Sequence, residues 1–263
     1  MKGLRTVKAE IGLMNLKARC WLRKPGATMR CGRFTIRIND AHNFYILYKD
    51  IFLRRIYYFK AMRPQPLILD CGSNIGVSII YFKHLYPEAR IVGFEPDPRV
   101  FPYLEKNVAS NGLRGVRMIQ AALSSKEGRS DFFSDGKYGG GLSRHLVTDE
   151  SQDWVRAKVE SVRLRDYLHE PVDFLKINIE GAECEVLEDS EDRLRQVQEM
   201  IIEYHHLPGL PRNLHHILEI LHRQGFEYLI NDFDSETNSG VEPPFTLAPE
   251  SRYFLLIYAK RLA

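Results

Sequence analysis

No run of about 18 apolar residues occurs in this 263-residue sequence, so no helix long enough to span a bilayer is expected. Cysteine is scarce. Cys20, Cys31, Cys71 and Cys184 show no C-x-x-C and no paired spacing, and they read as buried or neutral thiols in a reducing compartment. The stretch from Met1 to Lys17 lacks a continuous apolar core and carries scattered charges, so it does not read as a signal peptide. A cytoplasmic protein is the expectation. Acidic residues are nearly missing from the beginning of the chain. Residues 1–63 hold 15 Lys and Arg against 3 Asp and Glu, and the remainder hold 22 against 31. The formal net charge of +3 hides that division. The basic segment is either a solvated face packed on an acidic body or a surface that meets an anionic substrate, carrier, nucleic acid or membrane.

What is present is ordinary globular composition, 44% apolar and 27% charged, on a chain long enough for one α/β domain with an appendage. Residues 1–63 read as an α+β extension and residues 64–263 as the main domain. Within the extension, Arg33–Ile38 alternates basic and apolar side chains as a half-buried strand does. Asn43–Phe59 reads as a helix whose rings (Tyr45, Tyr48, Phe52, Tyr57, Tyr58 and Phe59) pack onto the core. Pro64 and Pro66 then break the chain.

Strands and helices alternate from Leu67 onward. Strands are expected at Leu67–Asp70, Ile91–Glu95, Val116–Ala121, Val172–Asn178, Gln198–Glu203, Phe226–Ile230 and Tyr253–Ala259. Helices are expected at Gly76–Leu85, Arg99–Ser110, Glu183–Leu187 and Leu214–Gln224. Residues 124–162 break the rhythm, with short strands near Arg129–Phe133 and Lys158–Val162 and a glycine-rich loop at Lys137–Leu142. A polar loop, Asn231–Pro249, precedes the last strand. No helical pattern separates that strand from its predecessor, so it is expected to insert antiparallel into a doubly wound, otherwise parallel sheet.

Two strand ends carry the chemistry. The first strand stops at Asp70 and turns through Gly72 and Gly76 into a helix, a loop in which glycine lets backbone approach a ligand closely. The dinucleotide fingerprint G-x-G-x-x-G is absent, and Asp70 would repel a pyrophosphate, which disfavours an NAD-dependent oxidoreductase. A carboxylate there suits a cation, such as the amino-acid end of S-adenosylmethionine (SAM). About one βα unit later the second strand ends at Glu95, placed to bind both ribose hydroxyls of a nucleoside. Together the two segments predict a class I SAM-methyltransferase, a Rossmann-like seven-stranded sheet with an antiparallel last strand. Its switch point sets Asp70–Asn74 beside Asn178–Glu180.

Four segments carry a resemblance: LILDCGSNIG (67–76), IVGFEPDP (91–98), DFLKINIEGAE (173–183) and EMIIEYHH (199–206). The chain resembles the FkbM-like SAM-dependent methyltransferases over roughly residues 52–230. The resemblance implies O-methylation of natural products or sugars. That family usually has Asp where this chain has Asn178, so a charge is missing beside the cofactor's methyl group.

The residues suggest the following roles. Asp70, Gly72, Asn74, Gly76, Glu95 and Asn178 are candidates for binding SAM, and Ala121 and Ala122 lie at the third strand's tip, where adenine would sit. Lys176, Asn178 and Glu180 alternate with Ile177 and Ile179, so the polar set is expected to face the cleft at the strand's end. Lys176, Glu180 and His205 are the catalytic candidates, with His205 a base titrating near the unperturbed value of about 6.5. Glu183 is placed in the first turn of the next helix, where an acid favours the helix dipole. Glu203, His205 and His206 are expected to leave the fifth strand. A rival reading groups Glu180, Glu203 and His205 around Mg²⁺, but Asn178 weakens its charge count. Ser143 reads as part of a flexible loop, and His215 and His216 as surface residues. The expected acceptor is a small molecule or glycan. Nucleic acid is disfavoured because the fourth strand lacks an Asn-Pro-Pro-aromatic signature. A non-catalytic binding module is the remaining alternative.

Overall fold

The computed structural model describes residues 16–18, 20, 21, 23–137, 139–144, 147, 154–231 and 253–262. Most of the polar loop expected after Asn231, and the first residues of the basic extension, lie outside that set. Strands β1 (Thr28–Cys31) and β2 (Phe34–Arg37) form an antiparallel hairpin. Helix α1 (Ala41–Tyr48) starts at Asp40, whose carboxylate accepts from the backbone N–H groups of His42 and Asn43 at 2.8 and 2.9 Å. It runs into a π-helical turn, Lys49–Arg54, which ends at Arg55 in a left-handed conformation. The helix expected to reach Phe59 therefore stops five residues early. Tyr57 and Phe59 leave it on an irregular path and still bury their rings, Phe59 stacking on Phe174 at 4.4 Å.

The main sheet follows. Its parallel strands are β3 (Leu67–Cys71), β4 (Arg90–Phe94), β5 (Val116–Ile119), β10 (Val172–Ile177) and β11 (Val197–His206). Helices α2 (Val77–Leu85), α3 (Phe101–Ser110), α4 (Glu183–Asp189) and α5 (Leu214–Arg223) cover it. Strand β13 (Tyr253–Lys260) inserts antiparallel between β11 and the edge strand β12 (Glu227–Asn231). The order is β12-β13-β11-β10-β3-β4-β5, as a class I methyltransferase sheet requires.

The period-2 alternation of the strands sorts the core into two layers. Ile68 and Phe174 join α2, α3 and the extension on one face. Leu67, Leu69, Leu175 and Ile177 join α4 and α5 on the other. Truncating a fully buried residue such as Leu69 to Ala would cost about 2–5 kcal/mol. The rhythm-breaking region forms a second sheet, β6 (Ala122–Leu123), β7 (Gly128–Ser134), β8 (Gly140–Gly141) and β9 (Val155–Val162), in the order β6-β9-β7-β8. No described helix is long and apolar enough to cross a membrane.

One strand is longer than its sequence pattern predicts. β11 continues to His206 because β13 pairs with it from Glu199 to its end, with Phe254 opposite His205 and Tyr253 opposite His206. The two histidines lie within the strand, not beyond its tip.

Candidate active site

The loop after β3 is built around positions that only certain residues can fill. Gly72 has φ +89°, and a Cβ there would fall 1.9 Å from the Asn178 carbonyl oxygen, so no other residue fits. Its N–H and that of Ser73 donate to the Phe94 carbonyl at 3.1 and 2.8 Å. Asn74 is also left-handed, at φ +47°, a conformation Asn tolerates. Gly76 serves packing: its Cβ would press on Leu104 at 2.8 Å, and it stays off the wall of the cleft that opens beyond these loops.

That cleft, about 920 Å³ including its open mouth, lies at the carboxyl ends of the strands. Gly72, Asn74, Glu95, Ala121, Asn178 and Glu180 all line it. Glu95, just past β4, accepts from the backbone N–H groups of Asn74 at 2.8 Å and Asp97 at 2.9 Å. Burial pushes its carboxyl up to about 7, and those two N–H groups hold it back from rising further. Ala121, Leu123, Phe132 and Leu142 supply apolar walls at one end. Ser143 is not among the lining residues, although Gly139–Leu142 are.

Asp70 does not line the cleft. It is fully buried beneath the loop, 3.2 Å from the Lys176 ammonium, and it accepts from Ser78 Oγ at 2.5 Å. The cationic ligand expected for this carboxylate is therefore the chain's own lysine. Lys176 also donates to the Cys71 and Gly72 carbonyls at 3.2 and 2.5 Å. A buried charge so engaged braces the loop, since leaving either partner alone in the interior would be costly.

Asn178 joins β10 to β3 through its N–H to the Cys71 carbonyl at 3.0 Å. Its side-chain Nδ2 donates to Glu203 Oε2 at 2.7 Å, and Tyr57 donates its hydroxyl proton to the other Glu203 oxygen. Glu203 thus sits behind the wall, and burial raises its pKa. Tyr57 itself lines the cleft, as do Asn43, Leu47 and Ile51 of the extension. Asn43 Nδ2 reaches the Asn74 side chain at 3.2 Å and the Lys137 carbonyl at 2.6 Å.

Glu180 occupies a left-handed position, φ +54°, followed by Gly181 at φ +99°. Glu183 shapes this turn. Its carboxylate, 1% exposed, accepts from the N–H groups of Ile179 at 3.2 Å and Gly181 at 3.0 Å, and it meets His205 Nδ1 at 3.0 Å. It opens the first turn of α4, as expected, and its burial makes it a strut for the turn as well. His205 Nε2 stands 3.8 Å from Glu180. Burial alone would lower the pKa of His205, but Glu180, Glu183 and Glu203 together raise it to about 9. This histidine is cationic near neutral pH and does not line the cleft, in place of the neutral base expected. His206 faces the other side of β11, where burial lowers its pKa and its ring meets Tyr253 at 4.9 Å. His215 and His216 are exposed. Glu180, Glu203 and His205 do not converge on one point, since Tyr57, Asn178 and Glu183 already engage Glu203 and His205.

The residues missed from sequence are Asn43, Tyr57, Phe132 and Leu142, contributed by elements outside the main sheet. The apolar face of β7 could have flagged Phe132, but nothing local marks the others.

Comparisons agree with this architecture. Methyltransferase sdnD of Sordaria araneosa is 30% identical over 207 residues, covering 66% of this chain and 79% of that protein. The 31-O-demethyl-FK506 methyltransferase FkbM of Streptomyces tacrolimicus is 28% identical over 228 residues, 73% of this chain and 85% of that one. The 2-O-methyltransferase NoeI of Sinorhizobium fredii is 30% identical over 158 residues, 54% and 64% respectively. The crystal structure of methyltransferase FkbM from Methylobacillus flagellatus shares the fold. Its TM-score is 0.50 at 12% identity, over 97% of this chain and 59% of that one. The model of the methyltransferase FkbM domain matches residues 70–228, more than half of the sequence and every strand end that builds the cleft, and the chain belongs to that family of SAM-dependent methyltransferases.

Proposed function

We propose that this chain transfers a methyl group from SAM to a hydroxyl oxygen of a small metabolite, natural product or glycan. The observation that carries the reading is that Glu95 and Glu180 open onto one cleft from opposite sides of Gly72, whose missing Cβ leaves the loop pressed against Asn178. The residues present fit SAM. Glu95 offers a buried carboxylate for ribose hydroxyls, and Ala121, Leu123 and Phe132 give an apolar seat for adenine. The Asn74 loop, with Asn43 against it, borders the methionine end. When bound, SAM supplies a methyl group already activated on a sulfonium.

The chain's own residues then align and deprotonate the acceptor. Glu180 takes the hydroxyl proton as the oxygen attacks in line, and the His205 imidazolium gives that carboxylate a charged partner. His205 acts as a positioning residue here, and Lys176 braces the loop. Residues 1–63 serve as a cap, supported by the four extension side chains on the cleft wall. The names of two relatives, a 2-O-methyltransferase and a 31-O-demethyl-FK506 methyltransferase, favour oxygen as the acceptor atom.

Incubation with SAM and a set of hydroxylated acceptors, sugars beside macrocyclic alcohols, tests this. S-adenosylhomocysteine release is measured and the methyl located by mass spectrometry and NMR. Glu180→Gln should lower kcat by roughly 10²–10⁴-fold and leave SAM affinity nearly unchanged. A methyl found on nitrogen or carbon, or near-normal turnover in Glu180→Gln, would overturn the reading.

A further inference from the structure

Away from the cleft, helices α4 and α5 bring together a second set of reactive side chains. Cys184 and Glu188 are one turn apart on α4, so they share a face. His216 meets them from the first turn of α5. Glu188 Oε1 lies 3.4 Å from Cys184 Sγ and 3.1 Å from His216 Nδ1, and the three atoms all lie within 4.8 Å of one another. Among the described residues, this is the one such group of three His, Cys, Asp or Glu ligand atoms. A tetrahedral ion at bond lengths of about 2.0–2.3 Å sets its ligands about 3.3–3.8 Å apart, so small side-chain shifts would seat one.

The electrostatics agree with the geometry. The sulfur is buried, and it faces the Asn213 carbonyl oxygen, 3.9 Å away, as well as Glu188. Two oxygen acceptors therefore converge on a thiol that has one proton to give. Glu183 and Glu185 flank the cysteine on the same helix, so carboxylates outnumber cations around the sulfur. The side chains of His216 and Glu188 are 51% and 49% exposed, which leaves a path from solvent and room for a water ligand.

We propose that Cys184 Sγ, Glu188 Oε1 and His216 Nδ1 bind a borderline divalent cation, Zn²⁺ foremost, with a solvent molecule as the fourth ligand. Thiolate and imidazole select zinc over magnesium or calcium. As the metal–sulfur bond forms, the S–H bond breaks and its proton leaves to solvent. The ion ties α4 to α5 directly behind the active loop. Cys184 follows Glu183, which holds the Glu180 turn and His205 in place. Metal occupancy therefore tightens the footing of the Glu180 turn.

Cobalt(II) is the probe. Titrating the full chain with Co²⁺ should produce a near-ultraviolet sulfur-to-metal charge-transfer band and the visible absorption of a tetrahedral ion, both displaced by Zn²⁺. Cys184→Ala should abolish the charge-transfer band. His216→Ala, at an exposed position, should weaken Co²⁺ binding by at least about tenfold while SAM binding shows the protein to be folded. The site is refuted if the folded protein gives no sulfur charge-transfer band with excess Co²⁺. A band that persists unchanged in both variants refutes it equally.

Discussion

Recognition of the ribose by Glu95 should make SAM affinity depend on pH in a calculable way. Burial raises this carboxyl to about 7, against the N–H groups of Asp97 and Asn74 that favour its ionised form. In the free protein it is therefore about half protonated near neutrality. Two ribose hydroxyls need an ionised carboxylate as acceptor, so binding must expel the proton. Affinity is then level above about pH 7 and falls about tenfold for each pH unit below it. Removing the charge removes two charge-assisted hydrogen bonds worth about 1.5–3 kcal/mol each. Glu95→Gln should thus weaken binding by roughly 10²–10⁴-fold, because one amide face also turns its NH₂ toward a backbone donor. Isothermal titration with SAM from about pH 5.5 to about pH 8 gives both numbers, and the variant's profile should be flat over that range. Denaturation curves check that the variant remains folded. A wild-type affinity indifferent to pH, or a Gln variant within about threefold of wild type, would refute the ribose assignment.

Three further outcomes are expected. His205, raised to about 9, contributes stability that is complete below about pH 6.5 and lost as pH climbs through about 9. Urea midpoints should decline over that interval by up to about 3 kcal/mol in free energy, and His205→Gln should flatten the decline. Asn178→Asp replaces the donor to Glu203 with a second carboxylate, so one of the pair must carry a proton. That variant should be most stable below the ordinary carboxylate range and lose stability as pH rises through the raised pKa of the pair, read by urea denaturation across pH. Tyr57→Phe strips a donor from buried Glu203 and should cost about 1–3 kcal/mol of unfolding free energy.

The strand tips were legible because each is a local signal. An apolar run, an acid and a glycine within ten residues define a strand, its end and a turn, and the structure has Gly72, Asn74, Glu95 and Asn178 lining one cleft. Long-range partners were not legible. Asp70 looked free to meet a cation because its lysine lies on β10, across a sheet register that pairs Lys176 with Asp70. His205 looked like a neutral base for the same reason: its charge is set by Glu180 and Glu183, packed against it by the β10–α4 turn. The length of β11 depended on β13, which no pattern within β11 announces. The helix through Phe59 failed more locally. A π-helical turn and a left-handed Arg55 leave no mark in hydrophobic spacing.

The insertion of β13 between β11 and β12 has a consequence for biosynthesis. Every other strand of the main sheet leaves the ribosome before it. Until Tyr253–Lys260 emerges, β11 presents an open edge over Glu199–His206 and β12 has no described neighbour in the sheet. Such an edge is a template for pairing with another chain. A nascent or truncated product ending before Tyr253 is thus a poorer candidate for gradual loss of activity than for aggregation. The strand that carries Glu203 and His205 is among the last to be secured, and closure of the sheet reports that synthesis has passed residue 260.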